Sequence, residues 1–239
     1  MFPRRFLSSS LLPPSSVTRR SRAAFTLIEL LCVFVIVLIL IVLVAPAFTS
    51  IKSADDLTSD AYTIKGMLES ARTYAKANNT YTWIGFAGSI GSTVTGEVQV
   101  AIVASNDGTN LWSANGALPV ASLTPVGKMV TLSNVHIGDA GPPSGDGTEF
   151  ESRPTVNVNY RISTAPNTLY PFTVQDTPFD KWIQFSPRGE ALVDGGGFSI
   201  VKYAEVGVLP THGTALAVTQ NIAAVQISGF GGDVRIYRQ

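Results

Sequence analysis

The sequence Ala-Phe-Thr-Leu-Ile-Glu-Leu-Leu at residues 24–31 opens the segment that decides the fold. From residue 25 to residue 48 the chain is apolar, interrupted only by Thr26, Glu29 and Pro46. A helix rises about 1.5 Å per residue, so this run would reach about 36 Å, and a hydrocarbon core is about 30 Å thick. The run therefore predicts a transmembrane helix at residues 25–50.

The charges on either side of the run indicate its orientation. Five of the 17 basic residues lie in residues 1–24, which contain no acid, and residues 25–239 hold 12 basic and 17 acidic residues. Cytoplasmic flanks carry the excess of arginine and lysine, so we expect a cytoplasmic N-terminus and an exported remainder. The acidic balance of the exported part argues against general nucleic-acid binding.

A secretory signal peptide is the first alternative, because arginines precede an apolar run in such peptides too. Here, however, the small residues Ala23 and Ala24 lie before the apolar run, and the acid Glu29 lies inside it. A signal peptidase acts on the outer face and requires small residues after the run. The order of these features favours cleavage on the cytoplasmic side.

Residues 24–31 closely resemble the prepilin cleavage motif of type IV pilins and type II secretion pseudopilins. The resemblance implies that a prepilin peptidase removes residues 1–24 as a leader by cutting between Ala24 and Phe25, and that Phe25 is then N-methylated. Pro46 falls at mature position 22, where many pilins have a proline that bends the helix. The family usually has glycine at the position of Ala24, and a leader of 24 residues is long for it.

Glu29 is the candidate assembly residue. A carboxylate in a lipid-facing helix is costly unless it is neutralised or paired. The resemblance implies pairing with the free N-terminal amine of a neighbouring subunit; the alternative is an acid that extends to the membrane interface. Cys32, the only cysteine, excludes an intrachain disulfide, and we interpret it as a small apolar packing residue rather than a crosslink.

Apolar residues continue at helical spacing beyond the membrane run and predict an amphipathic half of the helix at residues 51–79, ended by Asn78 and Asn79. The residues of this stripe are Leu57, Ala61, Ile64, Leu68, Ala71 and Ala75. Runs rich in Val, Ile, Tyr and Phe then predict strands at residues 81–86, 97–104, 155–162, 182–185, 198–203, 223–227 and 234–237. The predicted fold class is α+β: a long N-terminal transmembrane-to-amphipathic helix packed on an antiparallel β-sheet head at residues 80–239, as in pilins.

Several stretches resemble two more specific groups. Residues 70–72 and the strand after them, with residues 185–189, 198–201 and 225–235, are similar to the minor pseudopilin H and FimT-like group. The ending at residues 234–238 resembles pilin-like proteins encoded in verrucomicrobial gene cassettes. Residues 105–150 have no counterpart there and are interpreted as an insertion.

Motifs that carry catalytic or metal chemistry are largely missing. His136 and His212 stand in no metal-ligand spacing and are interpreted as ordinary surface residues, and neither a phosphate-binding glycine loop nor a nucleophile elbow occurs. We therefore expect a protein that is not an enzyme, with no cofactor and no metal. Four acids leave a calcium site as a minor alternative, although their spacing does not fit a hand-type loop: Asp139, Asp146, Glu149 and Glu151.

DNA uptake is a second minor alternative, since some FimT-like minor pilins bind DNA through a basic C-terminal motif. Arg235 and Arg238 flank Tyr237, but Asp233 stands where such a motif would have arginine. Two arginines neutralise only a couple of phosphates, so the affinity would collapse at moderate salt.

The predicted function is that of a structural subunit, a pseudopilin or minor pilin. Its expected partners are the prepilin peptidase, other pilin or pseudopilin subunits, the inner-membrane assembly platform and membrane lipid. Its expected location is the bacterial inner membrane, with a single span and a periplasmic head that can be extracted into a filament. The alternatives are a DNA- or surface-binding minor pilin and a membrane-anchored domain that never polymerises.

Overall fold

A computed structural model describes residues 26–111, 116–145, 147–164, 170–193, 200–217 and 221–239, with the side chains of residues 43–55 outside the description. The chain divides into two compact units, Met1–Pro46 and Ala47–Gln239. One α-helix, α1, spans Leu27–Ala77 and therefore belongs to both units. The architecture is α+β with antiparallel sheets, as predicted.

The second half of α1 buries the predicted apolar stripe. All six stripe residues, from Leu57 to Ala75, are at most 2% exposed. The helix ends as predicted before Asn78 and Asn79: Asn79 takes a left-handed φ of 49°, and the Thr80 N–H donates to the Ala75 carbonyl at 3.0 Å. This is the Schellman arrangement, in which asparagine accepts the backbone conformation that most side chains avoid.

Thirteen strands occur in the described residues, and they form two main sheets and a hairpin. In chain order they are β1 (Thr82–Gly88), β2 (Glu97–Ser105), β3 (Leu123–Pro125), β4 (Val130–Ser133), β5 (Val135–Gly138), β6 (Phe172–Val174), β7 (Thr177–Phe179), β8 (Lys181–Phe185), β9 (Ala191–Leu192), β10 (Tyr203–His212), β11 (Ala215–Leu216), β12 (Ala223–Ser228) and β13 (Val234–Arg238). The first sheet has the order β3-β2-β1-β8-β9, with β4 also paired to β2. The second has the order β11-β10-β12-β13, with β5 also paired to β10.

A single large core joins the helix stripe to one face of each sheet. On the first sheet it includes Ile84 and Phe86 of β1, and on the second it includes Val225 and Ile227 of β12. Residues two apart in a strand share a face, so each sheet presents one continuous apolar face to this core. Burial of a large aliphatic or aromatic side chain contributes about 1.5–3 kcal/mol, which makes this cluster the main source of stability in the unit.

The other face of the first sheet is also covered. Trp83 and Trp182 on that face pack with the hairpin formed by β6 and β7, in a second apolar cluster. The Phe172 and Phe179 rings stack at a centroid distance of 5.2 Å. Gly85 makes this close approach possible, because a Cβ at that position would lie 2.5 Å from Phe172 Cζ.

Three expectations about the head were wrong. Residues 155–162 do not form a strand: Asn157 caps a 3-10 turn at Val158–Tyr160 by accepting the Asn159 N–H, a local hydrogen bond that competes with a strand. Of residues 198–203, positions 200–202 are not in a strand and 198–199 lie outside the described residues. The head has two main sheets rather than one. Residues 105–150 contain strands of both sheets, and the interpretation of these residues as an insertion stays a prediction.

A buried polar cluster fixes the segment between β5 and β6 to the second sheet. Arg153, with a fully buried side chain, donates to Glu205 Oε2 at 3.1 Å, to the Phe150 carbonyl at 2.9 Å and to the Ala140 carbonyl at 3.1 Å. Arg161 Nε lies 3.7 Å from Glu205 Oε1, which is an ionic contact but longer than a hydrogen bond. Paired charges of this kind are what an apolar interior requires.

Candidate functional site in helix α1

Helix α1 begins directly after Thr26, whose side chain caps it. Thr26 Oγ1 accepts the Glu29 N–H at 3.3 Å, and the Thr26 carbonyl accepts the Leu30 N–H at 3.2 Å. The spacing Thr-x-x-Glu is that of a capping box, and an acid in the first turn complements the helix dipole. Sequence reasoning did not single out Thr26, although this spacing was the signal for it.

The first four turns of the helix present apolar side chains on every side. All residues from 26 to 42 are exposed, with Leu27 at 84% and Val42 at 72%. Monomeric soluble proteins rarely expose a continuous apolar surface of this kind, so it marks contact with lipid or with another protein. Among the residues whose side chains the structure describes, no helical segment is both long enough and apolar enough to cross a membrane.

The structure describes some of the predicted site residues and not others. Glu29 and Cys32 lie on the exposed surface of α1, and Cys32 is a free thiol. Ala24 and Phe25 lie outside the described residues, so the cleavage and methylation site stays a prediction. The helix assignment continues through Pro46, whose side chain is not described, and the predicted bend there also stays a prediction.

Two of the four acids considered for calcium have other partners. Asp139 accepts from Arg161 Nη1 at 2.6 Å. Glu151 accepts the Ser144 N–H at 2.7 Å, and this backbone hydrogen bond lowers the pKa of its carboxyl. Glu149 is exposed, and Asp146 lies outside the described residues. The described part of the chain contains no group of three metal-ligating side chains.

The interpretation of His136 as a surface loop residue was wrong. His136 lies in β5, is 2% exposed, and has its Nδ1 3.0 Å from Ser89 Oγ. Ser89 Oγ already accepts the N–H groups of Thr95 and Gly96, so its hydroxyl hydrogen is left to donate to Nδ1. Burial lowers the pKa of His136, because the charged ring is disfavoured away from water. His212, by contrast, is exposed at the end of β10.

The C-terminal arginines do not form a basic cluster. Asp233 pairs with Arg72 of α1 at 3.0 Å. Arg238 donates to Thr58 Oγ1 of α1 and to Asn221 Oδ1. Arg235, which lies between Asp233 and Arg238 in the sequence, is exposed on β13. One acid and two arginines, of which only Arg235 is unengaged in the described residues, offer little to a phosphate backbone.

Comparison with known proteins identifies the N-terminal segment. Residues 19–45 match the family model of the prokaryotic N-terminal methylation motif. The motif supports a type IV pilin-like family and indicates a processed precursor of the pilin or pseudopilin kind, which implies cleavage by a prepilin peptidase and assembly with other pilins. No curated protein matches the chain, and no solved structure matches it.

Proposed function

We propose that this chain is a structural subunit, a pseudopilin or minor pilin, of a type II secretion pseudopilus or a type IV pilus. The observation that carries the proposal is the exposed apolar surface of residues 27–42, which lies inside the matched motif. Glu29 is the one charged residue in it. A surface of this kind requires a lipid or protein environment.

In this proposal residues 25–50 anchor the subunit in the inner membrane, with the arginine-rich leader in the cytoplasm and the β-rich unit in the periplasm. The role is structural rather than catalytic. The chain leaves the bilayer by exchanging lipid for the helices of other subunits, which present the same apolar surface.

Cleavage changes the electrostatics of the assembly site. Before cleavage the amide between Ala24 and Phe25 is uncharged. After cleavage Phe25 carries an ammonium group. In a low-dielectric environment that group can pair with the Glu29 carboxylate of an adjacent subunit, where pairing is worth much more than on a wet surface. The leader therefore prevents assembly until the peptidase removes it.

Intact-mass analysis of membrane-extracted protein tests the processing step. We expect a mature chain that begins at Phe25 and carries one added methyl group. Ala24→Gly should be processed at least as well as the native chain, and Ala24→Leu poorly. A mature N-terminus after Ala45 or Ala47 would show ordinary signal-peptidase processing and would refute the proposal.

Glu29 variants test the assembly step in a host that carries the matching machinery. We expect Glu29→Ala to be cleaved, inserted in the membrane and folded like the native chain, but to be at least about tenfold depleted from sheared filaments, because an unpaired ammonium in a low-dielectric site is disfavoured. Glu69→Ala is the matched control, since Glu69 is an exposed acid of α1 outside the matched motif. Normal filament recovery with both Glu29→Ala and Glu29→Gln would leave Glu29 as an interfacial residue without a role in assembly.

A further inference from the structure

The cap at Thr26 decides where helix α1 begins relative to the predicted cleavage site. Thr26 Oγ1 accepts the Glu29 N–H at 3.3 Å, and the helix begins at Leu27. An N-cap residue has non-helical backbone angles, so a capped helix does not continue into the residues before it. Only Phe25 separates Thr26 from the bond between Ala24 and Phe25. The start of the helix therefore falls directly after the bond that is to be cut.

The residues before this cap have a composition that favours a helix. The sequence before Phe25 is Arg22-Ala23-Ala24, and alanine has the highest helix propensity, with arginine close to it. Extension of an existing helix adds a hydrogen bond for each residue that becomes ordered and requires no new nucleus. Glycine, the usual residue of the family at position 24, would oppose such an extension, but alanine does not. In this chain the limit of the helix therefore depends on Thr26.

The position of the helix start matters because a peptidase requires an accessible backbone at the bond that it cuts. The amides inside a helix are hydrogen-bonded to each other and are not free to bind a peptidase. Cleavage of a segment that opens and closes rapidly follows the population of its open form. A helix that continued through Ala24 would therefore protect the bond between Ala24 and Phe25.

We propose that Thr26 is a positioning residue for processing. Its side chain ends the helix after Phe25 and so keeps the bond between Ala24 and Phe25 in an open backbone that a prepilin peptidase can bind. The hydroxyl acts through the backbone conformation and takes no part in the cleavage chemistry. This role rests on the proposed function, because it assumes cleavage at that bond.

Single-turnover cleavage of the full-length precursor by purified prepilin peptidase in detergent micelles tests this role, with intact mass as the readout. Thr26→Val keeps the shape of the side chain and removes the hydroxyl. We expect its cleavage to be about fivefold slower, which corresponds to about 1 kcal/mol of lost capping. Thr26→Ser and Thr26→Asn keep a capping oxygen and should be cleaved like the native precursor.

Thr63→Val is the matched control for loss of a hydroxyl group. Thr63 also lies on α1, where its hydroxyl donates to the Ser59 carbonyl at 2.8 Å, so this variant leaves the cap intact. It should be cleaved at the native rate.

A second substitution separates the cap from direct contact of Thr26 with the peptidase. Glycine at position 24 opposes extension of the helix, so Ala24→Gly should restore cleavage of Thr26→Val and should accelerate the native precursor less. Carbon chemical shifts of Ala23 and Ala24 in the labelled precursor report the helix without the peptidase. We expect non-helical shifts in the native precursor and helical shifts in Thr26→Val.

The outcomes distinguish failure of this role from failure of the proposed function. A native precursor that is not cut after Ala24 would refute the proposed function, and the positioning role with it. A native precursor that is cut there, together with an equal rate for Thr26→Val, would overturn the positioning role alone. Unchanged chemical shifts in Thr26→Val, or equal acceleration of both precursors by Ala24→Gly, would also overturn it, because the hydroxyl would then not limit the helix.

Discussion

At the scale of single residues, Asp60 shows how a position on the helix sets a charge. It lies one turn after Asp56 on α1, and burial, with a smaller contribution from repulsion by Asp56, raises the pKa of its carboxyl to about 6. The pKa in the folded chain is above the ordinary value of 3.8, so folding takes up a proton between these values. Asp60 therefore destabilises the folded chain least below about pH 4, where its carboxyl is protonated. Its full destabilising effect is present above about pH 6.

Asp60→Asn should remove that cost. We expect the free energy of unfolding to rise by on the order of 1 kcal/mol at pH 7.5, a figure already reduced for the solvent screening of a half-buried group, and not to rise at pH 4. Urea unfolding of the full chain in detergent at pH 4, 5, 6 and 7.5 measures this. Glu69→Gln, at an exposed position, should change little at any pH. An equal gain at every pH would mean that the charge of Asp60 is not the cause.

At the scale of elements, local sequence patterns predicted the helix and the strands whose formation depends on neighbouring residues in the chain. The buried stripe of α1 and its end at Asn78 follow from spacing and from the left-handed tolerance of asparagine, and β1, β2, β8, β12 and β13 follow from runs of β-branched and aromatic residues. The β6–β7 hairpin was missed because its turn, Gln175-Asp176, lacks the usual Asn-Gly signal although both residues take positive φ. The short strand β5 is stabilised by pairing with β10, which is more than 60 residues away in the sequence.

The β6–β7 hairpin depends on the absence of a side chain at Gly85. We expect Gly85→Ala to lower the free energy of unfolding by about 1–3 kcal/mol, because the added Cβ would lie 2.5 Å from Phe172 Cζ and 2.8 Å from Phe179 Cβ. Chemical denaturation monitored by tryptophan fluorescence measures this change, since Trp83 and Trp182 lie in the same cluster.

Gly66→Ala is the matched control for this substitution. Gly66 lies in α1, and a methyl group added there would meet no atom within 4 Å, so alanine should stabilise the helix by about 0.5–1 kcal/mol. Opposite signs for the two substitutions are the expected result. A neutral Gly85→Ala would show that the hairpin shifts freely on β1.

At the scale of the whole molecule, the polar clusters join residues that no sequence pattern connects. Arg153, Arg161, Glu205 and Gln226 come from three separate segments. Sequence reasoning therefore recognised the N-terminal motif, which is local in the chain, and missed this buried cluster. Buried ion pairs of this kind can be recognised only in the folded structure, because their members lie far apart in the sequence.

Removal of one member of the cluster should destabilise the fold strongly. We expect Arg153→Met to lower the free energy of unfolding by about 3–5 kcal/mol, because it leaves the Glu205 carboxylate buried without its closest cation. Lys65→Ala breaks an exposed pair with Glu69 on α1 and should cost less than about 0.5 kcal/mol. Similar costs for the two variants, measured by urea unfolding, would show that the buried pair contributes no more than a surface pair.

The contact of β13 with α1 joins a segment that is synthesised early to one that is synthesised last. Arg238 donates to Thr58 across 180 positions of the chain, and β12 and β13 cover part of the stripe that begins at Leu57. During synthesis the stripe is made long before the strands that cover it. Until β12 and β13 have been made, this earliest part of the core stays uncovered, and apolar surface that is exposed during folding is prone to aggregation.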